Sequence, residues 1–169
     1  MLPRPLACVG IGQECCAAWS VLLQRPRGIR HIRVRTMKTA APTKTDLHVL
    51  VVDDEMLIRW AASEVLTADG CEVAEADNAA AAVRAVSGSR QPDVVLLDYR
   101  LPDCSDLGLL ATLRSLAPRA AIILMTAFGT PEVFAGAARL GAWRILHKPF
   151  EVTELPHLVQ AAYASATGH

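Results

Sequence analysis

The sequence predicts an α/β fold: a doubly wound parallel sheet of five strands with helices on both faces. Three observations carry the prediction. From Leu47 onward, short apolar runs alternate five times with helical stretches. The runs "VLVV", "VVLL" and "AAIILM" are apolar at every position rather than at every second one, the pattern of parallel strands covered on both sides. Each run then stops abruptly at polar residues, and in such sheets the functional crevice lies at the carboxyl ends of the strands.

The elements follow in order. The first strand is "LHVLVV", 47–52, and "EMLIRWAASEVLTADG", 55–70, is a helix with Leu57, Ala61, Glu64/Val65 and Ala68 near helical spacing and Gly70 as its stop. The second strand, "CEVAEA", leads into an alanine-rich helix that Asp77 or Asn78 can cap and that ends near Gly88. "PDVVLLD" is the third strand, followed by a helix over 106–117 that Pro118 stops. "AAIILMTA" and "AWRILHK" are the fourth and fifth strands, separated by the helix "PEVFAGAARLG". The last helix covers 154–166, where Pro156 fits because it falls in the first turn.

Composition narrows the setting. Of the 169 residues 52% are hydrophobic, enough for a packed core. The net charge of zero hides an asymmetry: residues 1–46 hold eight Lys/Arg against two acids, residues 47–169 nine against fifteen. The first 46 residues read as a basic, disordered extension outside the fold, with Met37 as an alternative start, and 47–169 as the domain. "GIGQEC" lacks the third glycine and the preceding strand of a dinucleotide fingerprint. A domain with a balance of −6 is a poor holder of nucleic acid. Five cysteines, Cys8, Cys15, Cys16, Cys71 and Cys104, without a C-x-x-C pair, fit a reducing, cytoplasmic setting. No apolar run of eighteen residues suggests a membrane span.

The strand ends carry the chemistry: Asp53 and Asp54 after the first strand, Asp98 after the third, Thr126 after the fourth, Lys148 after the fifth. Three carboxylates about 4 Å apart repel by ~4 kcal/mol per pair at an effective dielectric of 20, and a hard cation such as Mg²⁺ resolves this. An ammonium and a hydroxyl beside the metal suit a phosphoryl group, with Asp98 as the carboxylate that accepts it. Singly, each residue has a plainer reading. The acid pair suits a helix cap as well as a metal, Thr126 a cap, and Lys148 solvent. Asp103 and Asp106 read as loop and cap residues, Met56 and Met125 as core, Cys71 and Cys104 as small hydrophobes, and His48 and His147 as strand neighbours. Acid pair, acid, hydroxyl and lysine, in that order along one rim, favour the chemical reading.

The stretches "VLVVDDE", "DVVLLDYRLPD", "ILMTAFG" and "GAWRILHKPF" occur in that order and spacing. They resemble the signatures of bacterial two-component response-regulator receiver domains, over residues 47–166. The resemblance implies a flavodoxin-like sheet with strand order 2-1-3-4-5, and Asp98 as phosphoacceptor from a histidine kinase or histidine phosphotransfer protein. It implies Mg²⁺ held by Asp53, Asp54, Asp98 and the backbone carbonyl of Arg100, with Asp54 in more direct contact than Asp53. Thr126 would bond the phosphoryl group, Lys148 would pair with it, and the bond to Pro149 would be cis.

Two departures stand out. Receivers of this type carry Tyr or Phe three residues before the lysine as a switch coupled to the threonine; here that residue is Ile145. Trp143, two residues earlier, is expected on the same side as a substitute lever. The family favours glycines after "LPD", whereas this chain has Cys104 and Asp106. Arg100 and Phe128 stand where receivers vary their dephosphorylation rate, and both are large enough to shield an acyl phosphate. The implied function is a stand-alone phosphoacceptor switch that catalyses only its own phosphorylation and dephosphorylation. It would signal to a downstream protein through the fourth helix, fifth strand and fifth helix, with phosphorylation-dependent dimerisation among its partner states. The alternative is a receiver-like interaction module that works without phosphorylation. A hydrolase with an aspartyl intermediate would want a second acid two residues after the nucleophile, where Arg100 stands.

Overall fold

The computed structural model describes residues 47–168. The expectations for residues 1–46, a start at Met37 among them, lie outside the described residues. Five strands, β1 (His48–Val52), β2 (Glu72–Ala76), β3 (Val94–Asp98), β4 (Ala121–Thr126) and β5 (Arg144–His147), alternate with five helices. These are α1 (Met56–Ala68), α2 (Ala79–Val86), α3 (Gly108–Leu116), α4 (Pro131–Arg139) and α5 (Leu155–Thr167), the last entered through a single 3₁₀ turn at Val152–Glu154. All strand pairs are parallel and the order is β2-β1-β3-β4-β5, as the resemblance implies.

The continuous apolar runs sort into two cores. Leu50, Val52, Val95, Leu97, Ile122 and Leu124 face one side, packed with Ala82, Val86, Leu110, Leu113 and Ala137 of α2, α3 and α4. Val49, Val51, Val94, Leu96, Ile123 and Met125 face the other, packed with Ala62, Leu66, Val159 and Ala162 of α1 and α5. Because successive side chains of a strand point to opposite faces, a strand inside such a sheet needs an apolar residue at every position. The edge strands β2 and β5 are only half buried.

Helix α1 turns a different face to the sheet from the one its spacing predicts. Ala62, Ser63 and Leu66 are its buried residues, whereas Leu57 is 72% and Met56 68% exposed. Met56 is therefore not core, although Met125 is. The helix carries apolar residues all round its first two turns, so spacing alone does not choose a face; small Ala62 and Ser63 let the helix lie close to the sheet. Gly70 ends it with φ of 95°, the left-handed conformation that glycine adopts without a Cβ penalty.

A second correction concerns β5. Ile145 packs with Ala142 against the core on the α2, α3 and α4 side, while Trp143 packs with Leu146 against the opposite one. Trp143 precedes the first residue of β5, so strand alternation does not reach it. It is no lever for the Ile145 side.

Register fixes the rim. Val52 lies opposite Leu97, Asp98 opposite Met125 and Thr126 opposite His147. Asp53, Asp98, Thr126 and Lys148 therefore fall within one residue of a common row across four strands.

Candidate functional site

The rim brings the expected residues together. Asp53 (0% exposed), Asp98 (8%) and Thr126 (1%) are buried, and Asp54 is exposed. Asp53, Asp54 and Asp98 each offer an oxygen, and these atoms all lie within 4.8 Å of one another. The Lys148 ammonium donates to Asp53 Oδ2 at 2.7 Å and to Asp98 Oδ2 at 3.0 Å. Among the described residues the Asp54 side chain has no partner. Thr126 Oγ1 accepts the Phe128 amide at 3.1 Å, and its carbonyl accepts the Lys148 amide at 2.8 Å. The Lys148–Pro149 bond is cis.

The electrostatics follow from burial. Asp98 titrates above the ordinary carboxylate range, chiefly because burial penalises its charge. The hydrogen bond and charge of Lys148 and the Arg100 backbone amide work against that rise, and the charge of Asp53 adds to it. Burial acts to lower Lys148, yet its bonds to Asp53 and Asp98 and their charges outweigh this, and its net shift is upward. Asp53 and Asp98 share this one ammonium, which also lies 3.8 Å from Glu55 Oε1. An all-oxygen set of three clustered carboxylates, one of them open to solvent, suits a hard divalent ion.

The surrounding loops are built by cross-links. Asp103 is a cap, but of a distant helix: its carboxylate accepts Ala79 N at 2.8 Å and Ala80 N at 3.0 Å, beside Asn78, which caps Ala81. These amides hold the Asp103 carboxyl below the usual range. Leu101 and Cys104 bond through their backbones in a tight turn, and Asp106 accepts the Gly108 amide at 2.7 Å, so the loop after "LPD" closes without glycines. Arg100 stacks its guanidinium 5.4 Å from the Phe128 ring centre.

Sequence reasoning missed two residues that frame this rim. Arg59 of α1 bonds the Asp53 carbonyl, and Phe134 of α4 packs against His147. Arg59 was findable as the lone cation of a helix that starts beside three acids. Phe134 left no signal, since its partner is thirteen residues away.

Residues 49–160 match the model of the response regulator receiver domain. The chain belongs to this family. The receiver is 35% identical over 115 residues to the DNA-binding transcriptional regulator NtrC of Proteus hauseri, covering 68% of this chain and 24% of that protein. It thus spans about a quarter of the length of the NtrC-type relatives it matches. Sporulation initiation phosphotransferase F of Bacillus subtilis is 31% identical over 112 residues, 66% of this chain and 90% of that one. Among solved structures, a CheY-like receiver from Methanospirillum hungatei superposes with a TM-score of 0.69 at 22% identity, covering 73% of this chain and 98% of that one. That likeness establishes the flavodoxin-like fold. Among the described residues, no helix is long and apolar enough to cross a membrane.

Proposed function

We propose that the receiver is a phosphorylation switch in which Asp98 takes a phosphoryl group from the phosphohistidine of a histidine kinase or histidine phosphotransfer protein. The observation that carries this reading is the Lys148 ammonium held between buried Asp98 and Asp53, inside a triad of acids at the sheet's rim. An Asp98 carboxylate oxygen bonds to phosphorus as the donor's P–N bond breaks, and the imidazole nitrogen keeps that electron pair. Lys148 then pairs with a phosphoryl oxygen, and Thr126 turns its hydroxyl toward another. Asp53, Asp54, Asp98 and the Arg100 carbonyl would hold Mg²⁺, which when bound neutralises charge on the acceptor and the phosphoryl oxygens. Asp54, without another partner among the described residues, is the acid most available to it.

The receiver acts on no separate substrate; it accepts and loses its own phosphoryl group. Its output passes through α4, β5 and α5 to a downstream protein, in a cytoplasmic setting. A shift from 1:99 to 99:1 needs about 5.5 kcal/mol, and one threonine hydrogen bond contributes only ~0.5–1.5 kcal/mol. Lys148 and the ion must supply much of the remainder, so the response is a graded population shift. The non-phosphorylated interaction module draws support only from Ile145, and a complete acceptor set weighs against it.

Incubation with a small acyl phosphodonor and Mg²⁺ tests the proposal. Wild type should take up one acid-labile phosphate and Asp98→Asn none. Full labelling of Asp98→Asn, or acid-stable phosphate on another residue, would overturn it.

A further inference from the structure

We infer that Arg59 is a positioning residue for the acidic cluster, an assignment that rests on the phosphoacceptor reading above. Its Nη1 donates to the Asp53 backbone carbonyl at 2.7 Å, and its Nε donates to Glu75 Oε2 at 3.2 Å. Its own backbone amide donates to the Glu55 carbonyl at 3.0 Å. The last is the opening i→i−4 bond of α1, which any residue at 59 makes, so the hold that belongs to the arginine side chain is the one on the Asp53 carbonyl, just before Asp54.

The turn needs such a hold. Strand β1 ends at Val52, and Glu55, at the start of α1, makes no side-chain capping bond. The Asp54 carboxylate has no partner of its own among the described residues, so its direction is set by the backbone that carries it. On the other side of the turn, Glu55 N donates to Asp53 Oδ1 at 2.9 Å. The guanidinium thus closes a frame in which Asp53 points inward to Lys148 and Asp54 projects from a peptide fixed at both ends.

Glu75 explains how a cation can do this without opposing a metal. It sits on β2 opposite Val51, and the Arg59 side chain is only 16% exposed. The pair is neutral as a unit, so it orders the turn while leaving the charge of the cluster to the three acids. An unpaired arginine at the same place would order the turn and repel the ion.

The test uses the full chain and Mg²⁺ alone, read by calorimetric titration, with hydrogen exchange of the Glu55 amide as a second readout. The double variant Arg59→Ala with Glu75→Ala removes the pair without changing net charge. Its Mg²⁺ affinity should fall by about tenfold, the lower range for loss of an outer-shell partner of a metal ligand, and the Glu55 amide should exchange faster. Arg59→Lys keeps a donor and the charge, and should lose less affinity while melting like wild type. Should the double variant fail to fold, Arg59→Lys decides: wild-type Mg²⁺ affinity together with wild-type Glu55 exchange would overturn the assignment. Undiminished affinity in a folded double variant would overturn it as well. A wild-type chain that binds no Mg²⁺ would remove the phosphoacceptor reading with it, whereas equal binding by wild type and double variant removes Arg59 alone.

Discussion

The ring of Phe134 stands edge-on to the imidazole of His147, with centroids 5.1 Å apart and planes at 76°. Phe134 also rests on Gly129, where a Cβ would run into its ring. His147 in turn lies opposite Thr126. One aromatic ring thus links the segment after Thr126, the first turn of α4 and β5, on a strand where Ile145 offers no polar tip. Phe134→Ala should leave labelling of Asp98 intact but confine phosphorylation-induced NMR shift changes to the β4–α4 loop, with β5 silent. Gly129→Ala should cost about 1–3 kcal/mol through overpacking, measured by denaturant unfolding.

Lys148→Ala leaves two buried carboxylates facing each other. Without Mg²⁺ at neutral pH the variant should lose about 3 kcal/mol, as when one partner of a buried ion pair is removed. Mg²⁺ should raise its melting temperature more than that of wild type, because the ion replaces the missing charge. Asp98 already titrates above its unfolded value, so its favourable contribution is complete below that value and is lost as pH rises through the folded one. Removing the lysine raises it further, and the stability gap to wild type should widen from acid to neutral pH. Lys148 itself is raised, so wild type alone should lose stability as pH climbs through the folded lysine value. Unfolding curves across pH check both signs.

Arg100 and Phe128, each two residues beyond a rim residue on adjacent strands, stack their side chains on one another. Phe128, 69% exposed, has no core role to lose. Phe128→Ala should let the acyl phosphate decay about two- to fivefold faster, the rate equivalent of an exposed cation–π contact of ~0.5–1 kcal/mol. Arg100→Ala should do the same, with uptake of label unchanged. Following loss of label after donor removal measures it.

Asp103→Ala strips two amides at the N-terminus of α2 of their acceptor. Melting temperature should drop by a few degrees, as loss of a helix cap generally does. Because the Asp103 carboxyl is held below its usual range, its contribution is present above the unfolded value and fades as pH falls through the folded one. Melting scans of the two proteins should therefore converge in acid, while labelling of Asp98 stays at the wild-type level.

Much of this protein is determined along the chain itself. "VLVV", "VVLL" and "AIILM" require two apolar covers, since every position of a buried parallel strand faces a helix. That need, with the polar residue ending each run, places Asp53, Asp98, Thr126 and Lys148 on one rim. Tertiary structure decided what periodicity leaves degenerate. Helix α1 is apolar on several sides, so only packing of Ala62 and Ser63 against the sheet selected its buried face and left Leu57 outside. Trp143 and Ile145 part company because β5 begins between them, a boundary set by pairing with β4 rather than by residue type. Asp103 reaches a helix that starts 24 residues earlier, and Arg59 reaches both Asp53 and Glu75. Burial and strand periodicity are local and repeat along the chain, whereas these contacts depend on how loops from different strands meet above the sheet, which no spacing within one segment encodes.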